Sequence, residues 1–212
     1  MKEGAEARIG AVIGAVARQA LAERGLRRVA LLDDGGPGAE LIARLLSRAL
    51  GEHAVLRVTG DAAEVEPFLP LPDSVPRWRV AEELRRLRAR LAEGALSAHP
   101  ASKTALLLGG ELPPEPLLPL GDLWATEVAT LAGGWSAPPE IESVATAAGG
   151  IDALDAALRR YVDGRDARGL DALPRDVADR VREMLAAGRA ARRDPRIVPK
   201  LGGRTLCIDL ME

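Results

Sequence analysis

The sequence predicts an α/β protein with a doubly wound, mostly parallel sheet, helices on both faces and extra C-terminal helices. Three observations lead there. Short apolar runs closed by glycines alternate with segments of helical periodicity in the first half of the chain. Residues 27–59 read as strand, Gly-rich turn, helix and strand, a βαβ unit whose crossover is right-handed. The second half carries helical spacing almost throughout, so its helices have a sheet to cover and some remain beyond it. At 212 residues with 47% hydrophobic content, the chain suffices for one domain over 1–212. About 5–110 forms the sheet core, and about 120–204 the helical portion.

Each element follows from local chemistry. Ile9, Val12, Ile13, Val16 and Leu21 share one face of an amphipathic helix that Gly25 stops. Arg27 to Leu32 is a short apolar run ending in Asp33-Asp34-Gly35-Gly36, the pattern of a buried parallel strand. Pro37 suits the first turn of a helix, where its missing N–H is an orphan in any case, and Leu41, Ile42, Leu45, Leu46 and Ala49 give that helix its apolar face. His53 to Thr59 is the second strand. Pro67, Pro70, Pro72 and Pro76 make 60–77 a loop. Val80 to Ala92 follows as a charged helix buried through Val80, Leu84, Leu87 and Leu91, its four arginines a solvated face. Thr104 to Leu108, closed by Gly109-Gly110, is expected to be the third strand.

Further on, Asp122 is placed to cap a helix bearing Leu123, Val128 and Leu131 and ending at Gly133-Gly134. Asp152 is placed to cap a segment with Leu154, Leu158 and Tyr161, and Pro174 opens one with Val177, Val181 and Leu185. Thr205 to Leu210 is expected to be an edge strand or a docked tail.

Composition narrows the function classes. With 29 Lys+Arg against 31 Asp+Glu, no global field attracts nucleic acid or an anionic membrane. The lone Cys207 excludes a disulfide framework, and with only His53 and His99 a His- or Cys-built transition-metal centre is not expected. The longest apolar stretch, Ile9 to Ala17, is well short of the roughly 20 residues a membrane span needs, so the chain is expected to be cytoplasmic. Trp78, Trp124 and Trp135 lack basic–aromatic interleaving and read as packing anchors.

The strand–glycine–helix junction at 31–41 is the first place to seek chemistry, because doubly wound folds bind ligands beyond the carboxyl ends of their strands. It lacks the Gly-Lys-Ser/Thr of a Walker loop and the Gly-x-Gly-x-x-Gly of a dinucleotide fingerprint. Taken alone, Asp-Asp-Gly-Gly-Pro-Gly fits a structural turn as well as a phosphate site.

Leu117-Leu118-Pro119-Leu120-Gly121-Asp122-Leu123-Trp124-Ala125-Thr126-Glu127-Val128 adds a second signal. It resembles the Pro-Ile-Gly-Asp-Leu-Tyr-Lys-Thr-Gln-Val segment of ammonia-dependent NAD synthetases, members of the ATP-pyrophosphatase superfamily. Leu131-Ala132, Pro138-Pro139-Glu140-Ile141, Gly169-Leu170-Asp171 and Arg192-Arg193-Asp194-Pro195 are similar to later family segments in the same order, over roughly 100–200. Residues 5–59 fit the family's first helix and βαβ unit more loosely. The resemblance implies a homodimer that adenylates deamido-NAD with ATP and Mg²⁺ before ammonia displaces AMP.

Set against the family's Ser-Gly-Gly-x-Asp-Ser loop, Gly35 and Gly36 match, while Asp34, Gly38 and Ala39 replace the first Ser, the Asp and the last Ser. The family's Gly-Thr-x-Asn-x-x-Glu, set on the end of the third strand, corresponds to Gly109 through Glu115, which keeps only the glycine and a candidate metal carboxylate. Ala125 stands where the family has Lys.

Scaffold residues are therefore kept while phosphate and metal contacts are replaced. The expectation is an inactive or impaired relative with a relict nucleotide loop (Asp34, Gly35, Gly36, Gly38, Ala39, Gly109). Arg189, Arg192 and Arg193, with Arg196 near them, are candidates for binding an anionic, nucleotide-like ligand. The alternative is an active ligase holding Mg²⁺ through Glu115 and Asp33, or Asp34. A third reading is an α/β binding module unrelated to nucleotides.

Overall fold

In the computed structural model, the described residues are 2–59, 74–91, 94–109, 117–188 and 196–201. Helix α1 (Lys2–Glu23) precedes strand β1 (Arg28–Asp33), and helix α2 (Pro37–Leu50) connects β1 to β2 (Val55–Thr59). Helix α3 (Arg77–Leu91) then leads to β3 (Ala95–Ala98). The three strands are parallel in the order β2-β1-β3, with Leu31 opposite Arg57 on one side and Ala98 on the other. Beyond β3, single parallel bridges at Ala98–Leu117 and Leu117–Ile197 extend the sheet. From β1 the chain moves outward to β2 and returns to the far side of β1 as β3. That reversal places a topological switch point between the carboxyl ends of β1 and β3.

Alternation along β1 divides its side chains between two faces. Val29 and Leu31 are buried in the core built with Ile13, Ala17 and Leu21 of α1 and Leu41, Ile42 and Leu45 of α2. Ala30 and Leu32 meet Val58 on the other face. Helices α1 and α2 pack closely because Gly14 lies against Ala49, where an added Cβ would collide with the Ala49 side chain. The α1 face is rotated from the expected one: Ile13, Ala17, Ala20 and Leu21 are buried, while Val12 is 38% exposed.

A second core unites helices α4 (Lys103–Leu108), α6 (Pro139–Ala147), α7 (Ile151–Leu158) and α8 (Arg175–Ala187) around Leu107, Trp124, Ile141, Leu154 and Val181. Helix α5 (Ala125–Ala132) joins the two cores, its Val128 and Leu131 facing the first. A π-helical turn (Arg159–Asp163) and a 3-10 turn (Gly169–Ala172) follow α7. No described helix is long and apolar enough to cross a membrane.

The third strand is not where the leucine run predicts it. Residues 104–108 lie in α4, and the strand is the less apolar Ala-Leu-Ser-Ala at 95–98. The physical reason lies just upstream. The Ser102 hydroxyl accepts from the Ala105 N–H at 3.3 Å, an N-cap that starts a helix. Ala and Leu then favour helix, and the segment has no β-branched residue after Thr104 to oppose it. Gly109 therefore closes α4 instead of ending a strand.

Asp122 also departs from expectation. It is buried and accepts from the Leu201 N–H at 2.7 Å, while α5 begins three residues later. Asp152 lies in the first turn of α7, whose N-cap is Gly150. The run 205–210 and Cys207 lie outside the described residues.

Candidate functional site

The turn that follows β1 is occupied by its own carboxylates. Asp33 accepts from the Gly35 N–H at 2.9 Å, and Asp34 accepts from the Gly36 N–H at 2.8 Å. Gly35 sits at φ +72°, the left-handed conformation that glycine adopts without strain. These N–H groups are the ones a phosphate would use at such a turn, and each already has an anionic acceptor. Asp33 is 3% exposed and its other oxygen is ion-paired with Arg57 of β2. Arg57 also reaches Glu40 at 2.8 Å. The Asp33 hydrogen bond holds the guanidinium charged, raising its pKa further against a smaller opposing effect of burial.

The turn is covered on one side. A Cβ on Gly36 would collide with the Ser136 hydroxyl, and one on Gly134 would meet Pro37 Cγ at 3.0 Å, so the loop after α5 lies against Gly36 and Pro37, while Asp34 and Gly35 stay exposed. Gly38 is buried under the Pro100 carbonyl, 3.4 Å from where a Cβ would be, and Ala39 is fully buried. Of the residues expected at a relict nucleotide loop, Asp34, Gly35 and Gly36 form the turn, while Gly38 and Ala39 face the packed interior of α2. Gly109 lies apart from them at the C-terminus of α4, on the wall of the neighbouring cleft. Glu115, Arg189, Arg192 and Arg193 lie outside the described residues.

That cleft, of about 760 Å³, opens at the switch point. Asp34 of the β1 turn and His99 just after β3 line it; α3, α4, α6 and α8 supply the rest of its walls. Leu106, Pro138, Ile141 and Met184 give it an apolar lining, a composition typical of small-molecule sites. His99 accepts the Ala101 N–H on Nδ1 at 3.1 Å, which assigns the ring proton to Nε2, 3.3 Å from Glu82. Arg86 is held by Glu82 at 3.3 Å and Glu83 at 2.9 Å. Trp78, expected to be a packing anchor, is 41% exposed and lines the cleft. Trp124 is a buried anchor as expected, and Trp135 packs half-buried against the second core.

Sequence reasoning did not identify His99, Glu82 or Arg86 as neighbours, because the strand misassignment placed His99 in a loop with no known surroundings. A short Ala-Leu-Ser-Ala run just before His99-Pro100 was the available signal.

A buried polar network lies behind this cleft, in the segment resembling the synthetase motif. Asp155 of α7 accepts from Thr104 Oγ1 at 2.6 Å and from the Thr126 N–H at 2.8 Å. Thr104 Oγ1 in turn accepts from the Ala125 N–H at 3.0 Å, and Glu127 accepts from the Trp124 N–H at 2.8 Å. The open N–H groups at the start of α5 are thereby satisfied. Lys103, only 1% exposed, donates to Asp163 at 2.8 Å and lies 4.5 Å over the Trp124 ring. This network connects α4, α5, α7 and the π-helical turn, and it reads as scaffold.

The donor set of the turn does not fit Mg-ATP. Its N–H groups face carboxylates, Asp33 is neutralised by Arg57, and Asp34 adds negative charge where phosphate oxygens would sit. Among the described residues no three His, Cys, Asp or Glu side chains come together as a metal site.

No protein-family profile matches the chain, and no curated protein matches it in sequence. Among solved structures, it is similar to an NH3-dependent NAD synthetase from Campylobacter jejuni subsp. jejuni NCTC 11168, in complex with the nitrate ion. The TM-score is 0.59 at 15% identity, covering 93% of this chain and 99% of that one. The fold is NAD-synthetase-like.

Proposed function

We propose that this chain is a diverged NAD-synthetase-like protein, impaired or inactive as an ATP-dependent ligase, that keeps a ligand cleft at the switch point. The observation that carries this reading is the turn after β1, where Asp33 and Asp34 take the Gly35 and Gly36 N–H groups. The register of the sheet supports it. With the third strand at 95–98, Gly109 closes helix α4 and not a strand, so the glycine expected to open the family's Gly-Thr-x-Asn-x-x-Glu is not at a strand end. Ligase chemistry on phosphate rests on positioned donors worth roughly 2–4 kcal/mol each, so losing several removes useful turnover. Homodimerisation, implied by the resemblance, belongs to the same proposal.

Asp34→Ser tests it. Asp34 is exposed, so the substitution leaves packing intact while it weakens the hold on the Gly36 N–H and removes a negative charge. Restoring an aspartate at position 38 is a poorer test, because Gly38 is buried beneath a carbonyl. Affinity of Asp34→Ser for pyrophosphate and Mg-ATP, measured by calorimetry, is expected to exceed that of the parent by at least about tenfold, or ~1.4 kcal/mol. Equal affinity would show that the occupied turn is not what excludes phosphate.

A further inference from the structure

The charge and pairing of the cleft side chains differ from those of a phosphate site. Arg86 serves both Glu82 and Glu83, and Arg180 pairs with Glu183 at 3.2 Å. Asp34, Glu140 and Arg79 also line the cleft and make no ion pair among the described residues. Among the described residues five carboxylates and three guanidiniums thus line the cleft, a negative excess. Trp78, in the first turn of α3, also lines the cleft and is 41% exposed where Trp124 is 3%. A partly exposed indole on a largely apolar cleft offers π surface, which attracts cations and planar rings.

From these features together we infer that the cleft binds a small planar organic cation, an amidinium or a protonated aromatic amine, stacked on Trp78 with its charge toward Asp34 and Glu140. The inference rests on the reading of this cleft as a ligand site and names the class of ligand. An anionic ligand of the same size would meet the carboxylate excess with Arg79 as its one unpaired guanidinium. The apolar lining takes the ring, and the carboxylates set the sign of the charge.

Three isosteric probes separate shape from charge: benzamidinium, benzamide and benzoate, titrated into the full chain at neutral pH by calorimetry and tryptophan fluorescence. Benzamidinium is expected to bind saturably and quench fluorescence, with an affinity at least about tenfold above benzoate and benzamide between them. Trp78→Leu should lower benzamidinium affinity about tenfold. Glu140→Gln should weaken benzamidinium and leave benzamide unchanged, and it carries the test if the Trp78 variant folds poorly. Benzoate binding as tightly as benzamidinium would overturn the inference. So would saturable binding by none of the probes, or benzamidinium affinity indifferent to both substitutions. Such a failure would leave the impaired-ligase reading standing, because that reading is tested with pyrophosphate and Mg-ATP on Asp34→Ser.

Discussion

Replacing Asp155 with alanine is expected to lower the free energy of unfolding by about 3–5 kcal/mol, because two charge-assisted hydrogen bonds worth roughly 1.5–3 kcal/mol each are lost. One runs from Thr104 Oγ1 and the other from the Thr126 N–H at the start of α5. The same carboxylate therefore holds α4 and α5 against α7, and its loss opens the junction of the two cores. For a chain of this size each kcal/mol corresponds to about 2–4 °C, so the thermal midpoint should fall by roughly 10 °C. Asp155→Asn keeps an acceptor for Thr104 and should cost less. A midpoint within about 2 °C of the parent for Asp155→Ala would mean that the network carries no net stability.

Asp155 also makes a pH prediction. Burial pushes its carboxyl above the ordinary value of 3.8, against opposing hydrogen bonds from Thr104 and Thr126 and the charge of Arg159. A carboxyl raised in the folded state contributes most below its unfolded value, and that contribution is lost as pH rises through the folded one. The stability advantage of the parent over Asp155→Asn should therefore shrink as pH climbs from below 3.8. Urea melts of both proteins at stepped pH would show it, and a gap that widens with pH would contradict it.

Lys103 is the second position with a large expected effect. Its ammonium is buried, bonded to Asp163 at 2.8 Å and set over Trp124, so removing it breaks that bond and empties a packed site. Lys103→Ala should cost about 2–5 kcal/mol, the usual result of truncating a long, fully buried side chain to alanine. Lys103→Met keeps the apolar stem and should cost less. In a double-mutant cycle with Asp163→Asn, a coupling of about 1–3 kcal/mol is expected between side chains in direct contact. Additivity within about 0.5 kcal/mol would show that the pair is incidental.

The sheet core was legible in the sequence wherever a strand was apolar and its boundaries were marked. Val29 to Leu32 announces itself by four buried aliphatic residues and the glycines that follow, and Pro37 marks the start of α2. The third strand was not legible, because Ala-Leu-Ser-Ala carries little hydrophobicity and its burial comes from neighbours far away in sequence. A leucine run beside it carries more apolar surface and is a better strand candidate by run length alone. Only the Ser102 cap, a local hydrogen bond, decides for helix. That one shift moved Gly109 off the strand end and hid His99. Trp78 could not be told from Trp124 either, since both are tryptophans near helix starts and only the tertiary packing buries one and exposes the other. The closure of the glycine turn by Asp33 and Asp34 was half visible: the sequence showed the wrong charges, and the geometry shows which N–H groups they occupy.

Whether the turn after β1 still receives phosphate decides between an impaired relative and an active ligase. Calorimetric titration of the parent chain with Mg-ATP, and with deamido-NAD in the presence and absence of Mg-ATP, measures this directly. The expected result is no saturable heat from Mg-ATP up to millimolar concentration, an affinity weaker than about −4 kcal/mol, and no effect of Mg-ATP on any binding of deamido-NAD. Micromolar Mg-ATP binding that strengthens deamido-NAD binding would contradict it, and would return the chain to the active ligases.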